Sequence, residues 1–176
     1  SAVSVSTAGC DAQAGYFWDA SGAEWEISDG QEVNTHMFGA YTNGLSSDSS
    51  AITDACYFVG TRNGGEVWLD GAHSVDVTKG TNDKYGALCR YGNVTLKGRN
   101  GASVRRLSSN ISTYALSFPL LMFGVPDDNS TQIADIEATG IKFIGEDTRH
   151  STSGSALMDG RQAIWLKNVK GAKIHG

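Results

Sequence analysis

Residues 47–75 read Ser47-Asp48-Ser49-Ser50-Ala51-Ile52-Thr53-Asp54-Ala55-Cys56-Tyr57-Phe58-Val59-Gly60-Thr61-Arg62-Asn63-Gly64-Gly65-Glu66-Val67-Trp68-Leu69-Asp70-Gly71-Ala72-His73-Ser74-Val75. The first half predicts a helix. Ser47, Asp48, Ser49 and Ser50 offer side-chain oxygens that can accept the free amide hydrogens of a first turn. Ile52, Ala55, Cys56 and Val59 then fall at i, i+3, i+4 and i+7, a single apolar stripe. Gly60 ends the helix and Asn63-Gly64-Gly65 makes a turn. In the second half the apolar period drops to two, predicting a short strand at Glu66–Leu69, a break at Asp70-Gly71 and a second strand from His73 to Val77.

Downstream of residue 85 the pattern predicts no second helix. Short strands recur with Gly or Asn between them: 93–98, 102–107, a pair within 136–145 and a pair within 163–174. Comparable strands begin at Ile141 and Ile164, roughly 23 residues apart, a spacing suited to a solenoid repeat. Within a strand the apolar and polar residues alternate, Ile141 and Phe143 against Lys142, Ile164 and Leu166 against Trp165. Stacked coils about 4.8 Å apart would bury one set and display the other in outward rows. The exposed end of such a stack needs a cover, and a short amphipathic helix ahead of the first coil would provide it. Three stretches read as insertions between strands: 79–86, 110–131 with the apolar run 116–123, and 146–160. Residues 1–33 read as a lead-in or attachment segment, with strands at Tyr16–Trp18 and Ala23–Ile27 around a polar turn at Asp19–Gly22.

Composition supports many short strands and tight turns. Glycine occurs 22 times and proline twice, and charged residues make up 19%. The net charge of −5, with no run of Lys or Arg, excludes a nucleic-acid footprint. No apolar stretch approaches the roughly 20 residues of a membrane span. Cys10, Cys56 and Cys89 are widely spaced and odd in number, which predicts reduced thiols of a protein assembled in a reducing cytoplasm, with room for one disulfide.

The segment 34–75 resembles the opening of the pectate-lyase-like superfamily, the fold of phage tailspikes and related polysaccharide-degrading enzymes. That family opens with a Phe-Gly-Ala-like strand, a Gly-containing turn, an Asp-Thr-x-Ala-Ile helix start, a Gly-Gly turn and a Val-x-Leu-Pro-x-Gly-x-Tyr strand. The chain has Phe38-Gly39-Ala40, Asn43-Gly44, Asp48-Ser49-Ser50-Ala51-Ile52, Gly64-Gly65 and Val67-Trp68-Leu69-Asp70-Gly71-Ala72-His73 at these places. Asp70 and His73 stand where the family has Pro and Tyr, and Ser47 replaces one of two Asp before the helix. Val94–Gly98 and Gly140–Gly145 resemble the next rungs.

The resemblance implies an all-β, right-handed parallel β-helix with one short N-terminal capping α-helix, covering residues 34–176 and continuing past Gly176, since the pattern stops without a closing element. It implies a phage tailspike-type receptor-binding protein, a homotrimer on the virion tail or baseplate and made in the host cytoplasm, whose parent binds and cleaves bacterial capsule or O-antigen. A secreted polysaccharide lyase or hydrolase of the same fold, and a non-enzymatic adhesive virion part, are the alternatives. No cofactor, nucleic acid or membrane insertion is expected.

Cleavage of a glycosidic bond needs paired carboxylates. Glu146 and Asp147 in the third insertion, with Asp159 at the start of the next rung, are the best local set. A lyase needs a base and a cation for the uronate, and Arg149, His150 and Arg161 lie in the same region, with Trp165 as a substrate-binding ring. Asp127-Asp128-Asn129 has part of a calcium-loop pattern but lacks its spacing and terminal Glu. No metal site is expected.

Overall fold

The computed structural model describes residues 15–18, 23–28, 32–76, 78–79, 84–107, 118–144 and 163–176. These form a strand-rich chain whose sheets are mostly parallel, with one α-helix among the described residues. Strands β1 (Tyr16–Trp18) and β2 (Glu24–Glu26) make an antiparallel hairpin in the lead-in, where the sequence places two strands.

The helix α1 spans Ser49–Gly60 and buries Ile52, Ala55, Cys56 and Val59, the stripe that its periodicity predicts. Its cap works differently from the expectation. Asp48 occupies the N-cap position, yet its carboxylate makes no capping bond and instead accepts the backbone N–H groups of Tyr41 (2.7 Å) and Thr42 (3.3 Å). The Ser47 hydroxyl accepts from the Ser49 amide in its place.

After β3 (Val33–Asn34) and β4 (Asn43–Ser47), α1 leads into β5 (Gly65–Val75). The expected break at Asp70-Gly71 is a bend inside one strand, with Gly71 at φ 75° and a register shift between Asp70 and Ala72. Strand β9 (Val94–Arg106) lies parallel to β5 and bends at Asn100 and Gly101, both at positive φ. The next return of the chain bends at Gly140 (φ 67°), between β12 (Glu137–Thr139) and β13 (Lys142–Ile144). A stacked corner thus recurs where only Gly or Asn accepts the dihedral readily. At this corner a Cβ on Gly98 would come within 2.1 Å of the Gly140 carbonyl oxygen, so glycine there permits the close approach of successive strands.

Between β5 and β9 run the antiparallel pair β6 (Thr78–Lys79) and β7 (Lys84–Tyr85), then β8 (Ala87–Cys89). Strand β8 pairs in parallel with β10 (Leu121–Phe123), which pairs with β14 (Ile164–Leu166). The end of the apolar run assigned to an insertion, Leu121–Phe123, is therefore the central strand of a sheet, with Met122 and Phe123 fully buried. Strands β11 (Ile133–Ala134) and β15 (Val169–Lys170) pair in parallel, and β16 (Lys173–His175) closes the order β16-β12-β9-β5-β3. Register corrects the repeat length: Ile164 pairs with Leu121, not with a strand at Ile141, so the returns are longer than 23 residues because the insertions count within them.

The core consists of inward rows one strand apart. Val33, Val67, Leu96 and Ala138 align on one sheet, and Cys89 with Phe123 on another, all at most 6% exposed. Cys56 of α1 and Cys89 of β8 are joined by a disulfide (Cα–Cα 5.3 Å), which corrects the expectation of three reduced thiols and ties the helix to the first strand beneath it.

Candidate functional site

Because Val67 and Leu69 point inward, Glu66, Trp68 and Asp70 of β5 point outward. The same alternation turns Thr95, Lys97 and Arg99 of β9 outward, and Glu137 and Thr139 of β12. Parallel register then sets Glu66, Thr95, Glu137 and Lys173 in one row, and Asn34, Trp68, Lys97, Thr139 and His175 in the next. Asp70 and Arg99 stand side by side in a third.

These rows are knitted by charge. Lys97 Nζ donates to Glu66 Oε1. Arg99 Nε donates to Asp70 Oδ1 at 2.6 Å, while its Nη1 reaches Glu32 Oε1 at 2.5 Å, linking the lead into β3 with β5 and β9. Asn100 Nδ2 also donates to Asp70 Oδ1 (2.9 Å), and His175 Nε2 lies 3.6 Å from Glu137 Oε1. The hydrogen bond from Arg99 holds the Asp70 carboxyl below its ordinary value, and Asp70 and Glu32 in turn raise the guanidinium. Half-buried Trp68 sits among them, with Arg99 Cζ 5.1 Å and Lys97 Nζ 5.3 Å from its ring centre, inside cation–π range.

Chemically, this surface is an aromatic ring on a parallel sheet, ringed by hydrogen-bond donors and acceptors. Glu66 and Glu137 lie two strand spacings apart, about 9.6 Å between backbones, near the upper limit for an inverting carboxylate pair. Glu66 already accepts from Lys97, however, and Glu137 lies 3.6 Å from the His175 imidazole, so each carboxylate is engaged within the sheet. The arrangement suits binding better than bond cleavage.

A second polar cluster lies inside. His73 Nδ1 is 3.2 Å from Asp48 Oδ2, off the line of a good hydrogen bond, and its Nε2 is 3.5 Å from Thr35 Oγ1. The order Thr, His, Asp is that of a nucleophile and its base. All three are at most 1% exposed, so no substrate reaches them, and the cluster instead locks the 40–42 loop and α1 to β5.

Of the residues that the sequence puts forward, Glu146, Asp147, Arg149, His150, Asp159 and Arg161 lie outside the described residues. Trp165 is opposite Met122 in β14 and packs on the small cluster of Tyr85, Leu88 and Met122, with Lys167 Nζ 5.8 Å from its ring centre. Asp128 turns its carboxylate onto its own loop, accepting from the Ser130 and Thr131 amides (2.7 and 3.2 Å) and from both hydroxyls, which hold it well below the ordinary carboxyl range. No group of three or more metal-ligating side chains occurs among the described residues, and no helix there is long and apolar enough to cross a membrane.

Comparison with protein-family models, curated proteins and solved structures finds no match. The outward residues were legible in principle: with Val67, Leu69 and Leu96 taken as inward, Glu66, Trp68, Asp70, Thr95 and Lys97 must face out.

Proposed function

We propose that the chain forms the cap helix and first coils of a right-handed parallel β-helix of the pectate-lyase-like kind, and belongs to a phage tailspike-type receptor-binding protein. The parent binds, and cleaves, a bacterial surface polysaccharide. The observation that carries this reading is the repeated return of the chain to the same parallel sheets in the same register, with α1 packed ahead of the first return. Such winding places outward side chains in rows, and the rows around Trp68 have the ring and hydroxyl-directed groups that sugars require. In this reading the segment contributes binding surface and scaffold, and trimer formation and tail attachment belong to the assembled parent.

One observation favours a second setting. A buried Cys56–Cys89 disulfide suits an oxidising compartment, and hence a secreted microbial lyase or hydrolase of the same fold.

The test is adhesion of fluorescently labelled chain to bacteria of differing capsule and O-antigen type, before and after their surface polysaccharide is stripped. Binding to some types, lost on stripping, is expected. Binding that persists on stripped cells, or none to any type, would refute a polysaccharide receptor.

A further inference from the structure

Resting on the polysaccharide reading, we infer that the face around Trp68 recognises an uncharged stretch of glycan, gripped by the indole ring and by hydrogen bonds to hydroxyls rather than by charge. The outward cations of β9 are already committed, Lys97 to Glu66 and Arg99 to both Asp70 and Glu32. Counting Glu32, Glu66, Asp70 and Glu137 against Lys97, Arg99 and Lys173, the face holds no surplus of positive charge, on a chain whose net charge is −5. An anionic sugar would approach a face whose β9 cations are already neutralised and whose four carboxylates outnumber its three Lys and Arg side chains.

A neutral sugar meets no such obstacle. An ammonium has three donors and a guanidinium five, and each carboxylate about four acceptor sites, so paired groups still have capacity directed at solvent. The Thr95 and Thr139 hydroxyls stand beside them in the rows, each only partly buried. Trp68 supplies the apolar surface, with a ring that keeps part of its area in water. Contacts of this kind are little screened by salt, unlike attraction between a cationic groove and an anionic chain.

The test is titration calorimetry of the chain with purified bacterial O-antigen and capsular polysaccharides, sorted into uncharged ones and ones bearing uronate or sialate. Each is run at low salt and at about tenfold higher salt, where the Debye length falls roughly threefold. The expected result is binding to an uncharged polysaccharide with Kd shifting less than about twofold between salts. Trp68→Ala should weaken it about tenfold or more, equivalent to roughly 1.4 kcal/mol, and Trp68→Phe less. The Phe variant keeps an aromatic filler in case the Ala variant does not fold. Tighter binding to anionic polysaccharides, collapsing with salt, would overturn the inference while leaving the polysaccharide reading intact. So would uncharged binding indifferent to a folded Trp68 variant. Binding to no polysaccharide of either sort would overturn both.

Discussion

Asp70 shows how one residue serves sheet and surface together. Its carboxylate takes the Arg99 guanidinium from the neighbouring strand and the Asn100 amide from the bend. Its folded pKa lies below the ordinary 3.8, chiefly because Arg99 stabilises the ionised form. The sign follows directly. This contribution to stability is fully present above the unfolded value and is lost as pH falls through the lower folded one. Urea unfolding should therefore place Asp70→Asn below the wild type at neutral pH, with the gap closing as pH drops from about 4 downward. A gap that widens in acid would contradict the assignment. His73 illustrates the inward counterpart: a fully buried imidazole lies between Asp48 and Thr35, beside the Asp48 N–H bond to the Ser74 carbonyl (2.7 Å) that holds the helix start against β5.

Among the elements, α1 and the strands near it were legible because their signals are local. Apolar residues every three to four positions, then every two, specify helix and strand without knowledge of distant partners. Strand β10 was not legible. Leu121–Phe123 has no alternation, since both faces of β10 are covered: Leu121 and Phe123 join the main core while Met122 packs on Tyr85 and Leu88. A fully buried strand reads as a continuous apolar run and is easily mistaken for a loop with a hydrophobic tip. Phe123→Ala should cost about 3–5 kcal/mol in chemical denaturation if the run is a core strand; a change within about 0.5 kcal/mol would return it to the surface.

The link between α1 and β8 was likewise hidden, because a separation of 33 residues carries no pairing information. Closing a loop of that length stabilises by about 3–4 kcal/mol in the chain-entropy account. Thiol titration in denaturant without reductant should find one reactive cysteine per chain, and three after reduction. Three without reductant would leave the helix held by packing alone.

At the scale of the whole molecule, the sequence conveyed a β-rich chain with one helix but misjudged its period. The insertions vary in length, so successive returns to one sheet are not equally spaced in sequence, and the interval from Ile141 to Ile164 joined strands from different sheets. The candidate surface was missed for a related reason: its rows unite residues up to 141 positions apart, from Asn34 to His175, and register alone brings them together. Everything proposed about function depends on that register. It is tested most directly by cysteine cross-linking between adjacent strands in a Cys10→Ser background, using Thr95→Cys with Glu137→Cys, which register places opposite each other on β9 and β12. Paired backbones about 4.8 Å apart fall within disulfide reach. Mild oxidation should join this pair within a single chain. The control, Thr95→Cys with Lys142→Cys, should stay open because Lys142 pairs instead with Ser103, beyond the bend. Failure of the first pair, or equal linkage of both, would contradict in-register stacking and the surface built on it.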